Sequence, residues 1–160
     1  MQHPLQEQPF QIVPYSPVYR EAFRDLNHEW ITRYFVLEEA DNNMLDDPEG
    51  YILNPGGYIF MAVLKDEPVG TAALIKNPDG SFELAKMAVT DKAQGLKIGY
   101  ALGAAALQKA RELNAPRVEL LSNRKLEPAI NLYRKLGFEE VPVPKNYYAR
   151  ADIKMERWLK

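Results

Sequence analysis

Cysteine is absent from the 160 residues, which excludes disulfides, thiolate metal sites and a cysteine acyl-enzyme. Histidine is scarce: His3 and His28 are too few for a His-rich metal centre, and His3 lies in a terminal segment prone to fraying. Neither sign of charge dominates, since 20 Lys and Arg face 22 Asp and Glu. A protein held to nucleic acid by general phosphate attraction needs a basic surplus, so nucleic acid is not an expected partner. Long hydrophobic runs are missing too. The longest stretch free of strongly polar residues, Ile98 to Leu107, is half a membrane span and rich in Gly and Ala. The opening MQHPLQEQPF lacks the basic and apolar regions of a secretory signal. No repeat, low-complexity tract or Gly/Ser linker divides the chain. With 46% apolar and 26% charged residues, the composition is that of a folded globular protein. The expectation is a single cytoplasmic domain over residues 1–160, without membrane or metal.

The pattern along the chain predicts a strand over Phe10 to Tyr15, then a helix opened by Ser16 as N-cap and Pro17 at its first position. Phe23, Leu26, Trp30 and Tyr34 recur at spacings of three and four and predict its buried stripe, to about Phe35. An acidic, irregular segment follows, with Asp47-Pro48 opening a short second helix that Asn54-Pro55-Gly56-Gly57 ends. A meander comes next: Tyr58–Leu64, Val69–Ile75 and Ser81–Val89, separated by turns at Lys65–Pro68 and Asn77–Gly80. The remainder predicts a helix over Gly99–Leu113, a strand over Arg117–Ser122 and a helix over Leu126–Leu136, stopped by Gly137. Strands Phe138–Val141 and Ile153–Trp158 close the chain. A mixed sheet with helices on both faces is the simplest layering for this order.

The stretch from Ser81 to Phe138 carries the chemistry. A strand ending at Met87-Ala88-Val89 runs into a tight loop that feeds a helix, and the open N–H groups and positive dipole end of such a junction suit phosphate. Gly95 and Gly99 let backbone approach a ligand, Gln94, Lys92 and Lys97 add donors, and Gly103 provides close helix–sheet packing one turn on. Two glycines before a helix are weak evidence alone.

The whole stretch resembles the acyl-CoA-binding core of the GNAT superfamily of N-acetyltransferases. Gln94-Gly95-Leu96-Lys97-Ile98-Gly99 is similar to its Gln/Arg-x-x-Gly-x-Gly/Ala loop, with Lys97 where the inner glycine is expected. Met87-Ala88-Val89 resembles the strand end, and Asn123, Ala129, Tyr133 and Leu136-Gly137-Phe138 resemble the second signature. The resemblance covers about the last eighty residues well, with the core at about 81–138, and the first fifty-five only in element order. It implies a mixed, mostly antiparallel sheet of roughly six or seven strands with helices on both faces. It further implies acetyl-CoA as donor, a primary amine as acceptor, no metal, and room for a homodimer at exposed C-terminal strands.

Site residues follow from the same resemblance. Met87, Ala88, Val89, Gln94, Gly95, Leu96, Lys97, Ile98, Gly99, Asn123 and Ala129 would bind the donor, with a strand N–H near Ala88 or Val89 polarising the thioester carbonyl. Asn123 serves equally as the cap of the next helix. Tyr133 is the expected general acid toward the departing thiolate, against the plainer reading of a half-buried tyrosine on an amphipathic helix. Glu83 is the expected general base; strict alternation puts it on one face with Ala85, Met87 and Val89, and the alternative is a solvent-facing charge. For the acceptor, the acidic Glu38, Glu39, Asp41, Asp46 and Asp47 suit a cationic amine, whereas Arg150, near Tyr147 and Tyr148, suits a carboxylate. These cues point to different acceptors. The rival class is a non-catalytic acyl-CoA-binding module; a Rossmann-type enzyme is disfavoured because Gly95, Gly99 and Gly103 are spaced by four.

Overall fold

In the computed structural model, which describes residues 9–143 and 150–160, seven strands form one sheet in the order β1-β2-β3-β4-β5-β7-β6. The strands are β1 (Phe10–Pro14), β2 (Tyr58–Leu64), β3 (Glu67–Lys76), β4 (Phe82–Val89), β5 (Arg117–Ser122), β6 (Glu139–Val141) and β7 (Ile153–Trp158). All pairings are antiparallel except β4 with β5. Helices α1 (Arg20–Tyr34) and α2 (Glu39–Asp46) lie on one face, where Phe23, Leu26, Ile31 and Leu45 pack on Ile59, Met61, Ala73 and Ala88. Helices α3 (Ile98–Glu112) and α4 (Glu127–Lys135) lie on the other, where Leu102, Ala106, Ile130 and Leu136 pack on Leu74, Leu84, Val118 and Met155. The predicted element order and layering are both present. Among the described residues, no helix is long and apolar enough to cross a membrane.

Several local details differ from the sequence expectation. Helix α2 occupies Glu39–Asp46, ahead of Asp47-Pro48, because Glu38 and Asp41 form a reciprocal capping box. Glutamate in the N-cap position hides that start from a search for Ser, Thr, Asp or Asn. Asp47-Pro48 instead leads into a single wide helical turn, Glu49–Leu53. The β2–β3 turn is tighter than predicted: Leu64 pairs with Glu67, and Lys65 and Asp66 both have positive φ, 49° and 66°, the two-residue hairpin geometry that follows sheet twist. Tyr34 is not in the buried stripe but 41% exposed, and Asn27 and Ile31 are buried in its stead.

Strand β4 carries the feature that shapes the site. Ala73 pairs with Ala85 and Thr71 with Ala88, so three steps on β4 oppose two on β3, and Lys86 takes φ +52°. This bulge breaks the expected alternation. Glu83 and Ala85 line a cavity on the α1 side, while Met87 and Val89 pack against the α3 cluster; the four do not share a face. On the other edge, β4 pairs with β5 only at Phe82 with Val118 and Glu83 with Glu119. Beyond Glu83 the two strands diverge, leaving that edge of β4 without a strand partner.

Candidate active site

The divergence of β4 from β5 opens two cavities that meet. The larger, about 680 Å³, runs along Met87, Ala88 and Val89 to Gln94, Gly95, Lys97 and Gly99, with α4 as the opposite wall. The smaller, about 170 Å³, lies among α1, α2 and β4 and contains Glu83, Lys86 and Arg150. Trp30, Met87, Leu126 and Tyr133 line both.

The loop entering α3 is built as an anion cradle. Gly95 has φ +84°, and nothing lies within 4 Å of where a Cβ would stand. Lys97, at the position of the expected inner glycine, adopts φ +63° and ψ 27°, the left-handed conformation a glycine would supply. The loop therefore keeps its path at a cost. Helix α3 has no side-chain cap, and its first intrahelical bond runs from Ala101 N–H to the Lys97 carbonyl, so the preceding N–H groups are open to an outside acceptor. Replacing Lys97 with Gly relieves the strain and is expected to raise stability by about 1 kcal/mol. Thermal melting should show that increase together with weaker diphosphate binding, because a cation is lost.

The predicted donor-binding residues fall mostly along this larger cavity. Met87, Ala88, Val89, Gln94, Gly95, Lys97, Ile98, Gly99 and Ala129 line it. The Gln94 side chain donates to the Val89 carbonyl at 3.2 Å. Leu96 is 38% exposed and is not among the lining residues. Lys92 is exposed and also stands apart from the cavity. Asn123 lines the smaller cavity; it donates to the Arg150 carbonyl at 2.8 Å and accepts from the Lys125 N–H at 3.0 Å, so it ties the loop before β7 to the turn before α4. Gly103 serves packing against the end of α4 rather than helix–sheet packing, since a Cβ there would meet Leu136, the C-cap of α4.

Tyr133 stands where the two cavities join, edge-on to Phe138 with ring centroids 6.1 Å apart. Burial pushes its hydroxyl up to about 12, so it stays protonated and able to donate across the neutral range. Glu83 lines the smaller cavity, and its carboxylate makes no hydrogen bond among the described residues. Burial raises its carboxyl above the usual range, the neighbouring Glu119 adds to this, and Lys86 and Lys154 oppose it. Glu119 is its register partner on β5 and is itself paired with Lys154 at 3.3 Å.

The acidic segment does not form a cation trap. Asp41, 2% exposed, accepts two bonds from Arg150 at 2.8 and 2.6 Å, one from Lys86 at 2.6 Å and one from the Glu38 N–H at 3.0 Å. Burial alone would raise its carboxyl, but the bonds from Arg150 and Lys86 outweigh that and hold it well below the usual range. Asp47 accepts the Gly50 N–H, and Glu39 and Asp46 are exposed. Tyr147 and Tyr148, like His3, lie outside the described residues. Sequence reasoning missed Trp30, Asn27, Lys86 and Lys125 as lining residues. Trp30 is in the predicted buried stripe and Asn27 lies beside Leu26 of that stripe, so the α1 members have a signal; Lys86 has none, because the bulge that turns it inward leaves none.

Comparison with known proteins agrees with this geometry. The family model for the acetyltransferase (GNAT) family matches residues 15–138. The chain is 43% identical over 67 residues to an N-alpha-acetyltransferase of Sulfurisphaera tokodaii, covering 41% of this chain and 40% of that protein. It is 32% identical over 118 residues to a human N-acetylaspartate synthetase, covering 73% of this chain and 39% of that one. The matched region thus spans about 40% of the length of these curated relatives. Among solved structures, a GNAT-family acetyltransferase from Staphylococcus aureus superposes with TM-score 0.85 at 24% identity, covering 94% of this chain and 99% of that one. A Bacillus subtilis acetyltransferase in complex with CoA superposes with TM-score 0.72 at 19% identity, covering 94% and 99%. With the family model matching more than half of its length, the chain belongs to the GNAT family of acetyltransferases.

Proposed function

We propose that the chain is an N-acetyltransferase that moves an acetyl group from acetyl-CoA to a primary amine of a small molecule or peptide, by direct attack in a ternary complex. The observation that carries this reading is the meeting of two cavities at Tyr133, one leading to the open N-terminus of α3 and the other to Glu83. The residues fit the donor: the cradle at Gly95 and Lys97 suits a diphosphate, and the unpaired edge of β4 beyond Glu83 suits an amide-bearing arm. Acetyl-CoA, when bound, supplies a thioester-activated acetyl group. Glu83 takes a proton from the acceptor ammonium, because only the free amine has a lone pair for attack. A strand N–H near Ala88 or Val89 steadies the carbonyl oxygen. The C–N bond forms as the C–S bond breaks, the Tyr133 hydroxyl gives its proton to the leaving sulfur, and the nitrogen's second proton passes to solvent, from which the phenol is reprotonated. No cysteine exists to carry the acetyl group on the protein.

Release of free thiol from acetyl-CoA, measured across a panel of primary amines, tests the reading. Turnover with at least one acceptor is expected; binding of acetyl-CoA without thiol release from any amine would leave a cofactor-binding module. The pH dependence tests Glu83 separately. Its carboxyl lies above the ordinary range and must be ionised to act, so kcat/KM should rise with pH through that elevated value. Removing the adjacent negative charge with Glu119→Gln should move the rise to lower pH, and Glu83→Gln should remove it, with a loss of about a hundredfold in rate.

A further inference from the structure

We infer that Lys86 forms an anion subsite in the smaller cavity and that the amine acceptor carries a carboxylate, which Lys86 holds while the amine faces Glu83. This rests on the acetyltransferase reading and names its acceptor class.

Three observations carry it. First, the bulge turns Lys86 into the cavity, and its side chain is only 13% exposed. An ammonium has three N–H donors. Among the described residues Lys86 gives one of them, to Asp41. Second, the acid nearest Lys86 is already engaged. Lys86 and Arg150 both pair with Asp41, so one carboxylate serves two cations. Asp41 has two donors on each oxygen and is saturated, so it has nothing to offer a substrate ammonium. Glu38 also lines the cavity, and its carboxylate accepts the Asp41 N–H in the capping box. Third, the opposite pole of the cavity suits an amine. Glu83 lies three residues before Lys86 on β4, lines the same cavity, and has its hydrogen-bonding capacity free among the described residues. A zwitterion of amino-acid type spans such a pair: carboxylate to Lys86, amine to Glu83.

The arrangement resolves the two opposed acceptor cues. Acidic residues of the α1–α2 region are consumed in caps and in the Asp41 cluster, or point to solvent. Arg150 is committed to Asp41 through both terminal nitrogens and to the Val36 carbonyl. Its part is to hold Asp41, and through it Lys86, in place. The strained φ of Lys86 is consistent with a side chain whose direction matters more than its backbone comfort.

Matched acceptor pairs test the inference on the unaltered protein. L-aspartate, L-glutamate and glycine are compared with their carboxamides, and with the cationic amines spermidine and cadaverine, by thiol release from acetyl-CoA. At least a tenfold preference in kcat/KM for the carboxylate member of each pair is expected, lying mainly in acceptor KM. Lys86→Met should erase that preference while leaving acetyl-CoA KM within twofold, and Lys86→Arg should restore much of it. Equal use of the carboxamides, a preference for the polyamine, or an unchanged ratio in Lys86→Met would overturn the inference. If no acceptor is turned over, calorimetric titration of L-aspartate and L-aspartate diamide into the CoA-saturated protein decides it independently. Tighter aspartate binding that Lys86→Met abolishes supports the anion subsite even as the catalytic reading fails; equal or absent binding of both removes the subsite as well.

Discussion

Replacing Tyr133 with Phe is expected to lower kcat by about a hundredfold, within the range for loss of one positioned proton donor, with little change in the KM for acetyl-CoA. The phenol lines both cavities, which the proposed function assigns to donor and acceptor, so on that reading its hydroxyl is near the place where the bond to sulfur breaks. Burial keeps it protonated at neutral pH. The ring itself packs edge-on to Phe138, and phenylalanine preserves that contact and the shape of both cavities. The loss should therefore appear in the chemical step. Steady-state kinetics with a pre-steady-state check on product release measures it. A kcat within threefold of the parent would show that the leaving thiolate departs unaided and that Tyr133 is only part of the wall.

The largest effect on stability is expected at Asp41. It is buried among Lys86, Arg150 and the start of α2, and Asp41→Ala leaves two cations facing each other without their common partner. Removing one member of a buried ion cluster costs about 3–5 kcal/mol. For a chain of this length that lowers the melting temperature by roughly 10 °C. The same group sets an acid limit. Its folded-state carboxyl lies below the unfolded value, near 3.9. The stabilisation is then complete above about pH 4 and drains as pH falls through the lower, folded value. Calorimetry of the parent and of Asp41→Ala between neutral and acid pH should show two melting curves that converge only at low pH. Parallel curves would mean that Asp41 remains charged throughout or contributes nothing.

Much of this molecule is legible in the sequence, and the exceptions share a physical character. Element order and the strand–loop–helix junction follow from periodicity and turn residues, and the placing of Glu83 and Tyr133 on one gap is what the family resemblance implies. Lys97 shows why a motif departure need not alter a backbone path: a lysine can be held left-handed by its surroundings at a modest cost. The bulge at Lys86 is invisible for the related reason that pairing register is a tertiary property, and alternation counts residues as if none were extra. Helix α2 was hidden by a glutamate cap, and the acidic surplus of that region misled because net charge does not say which carboxylates already have partners. Tyr34, in step with the buried stripe, is exposed, and its ring lies tilted against Trp30 at 5.3 Å.

The surplus residue in β4 has one more consequence. Because it reverses the parity of the strand midway, Ala85 and Val89 belong to different compartments although both are odd-numbered positions of one strand. The linings of the two cavities can thus drift separately in evolution, or be re-engineered separately, by edits to a single eight-residue segment. A deletion at Lys86 would fuse the two compartments' registers and forfeit that independence.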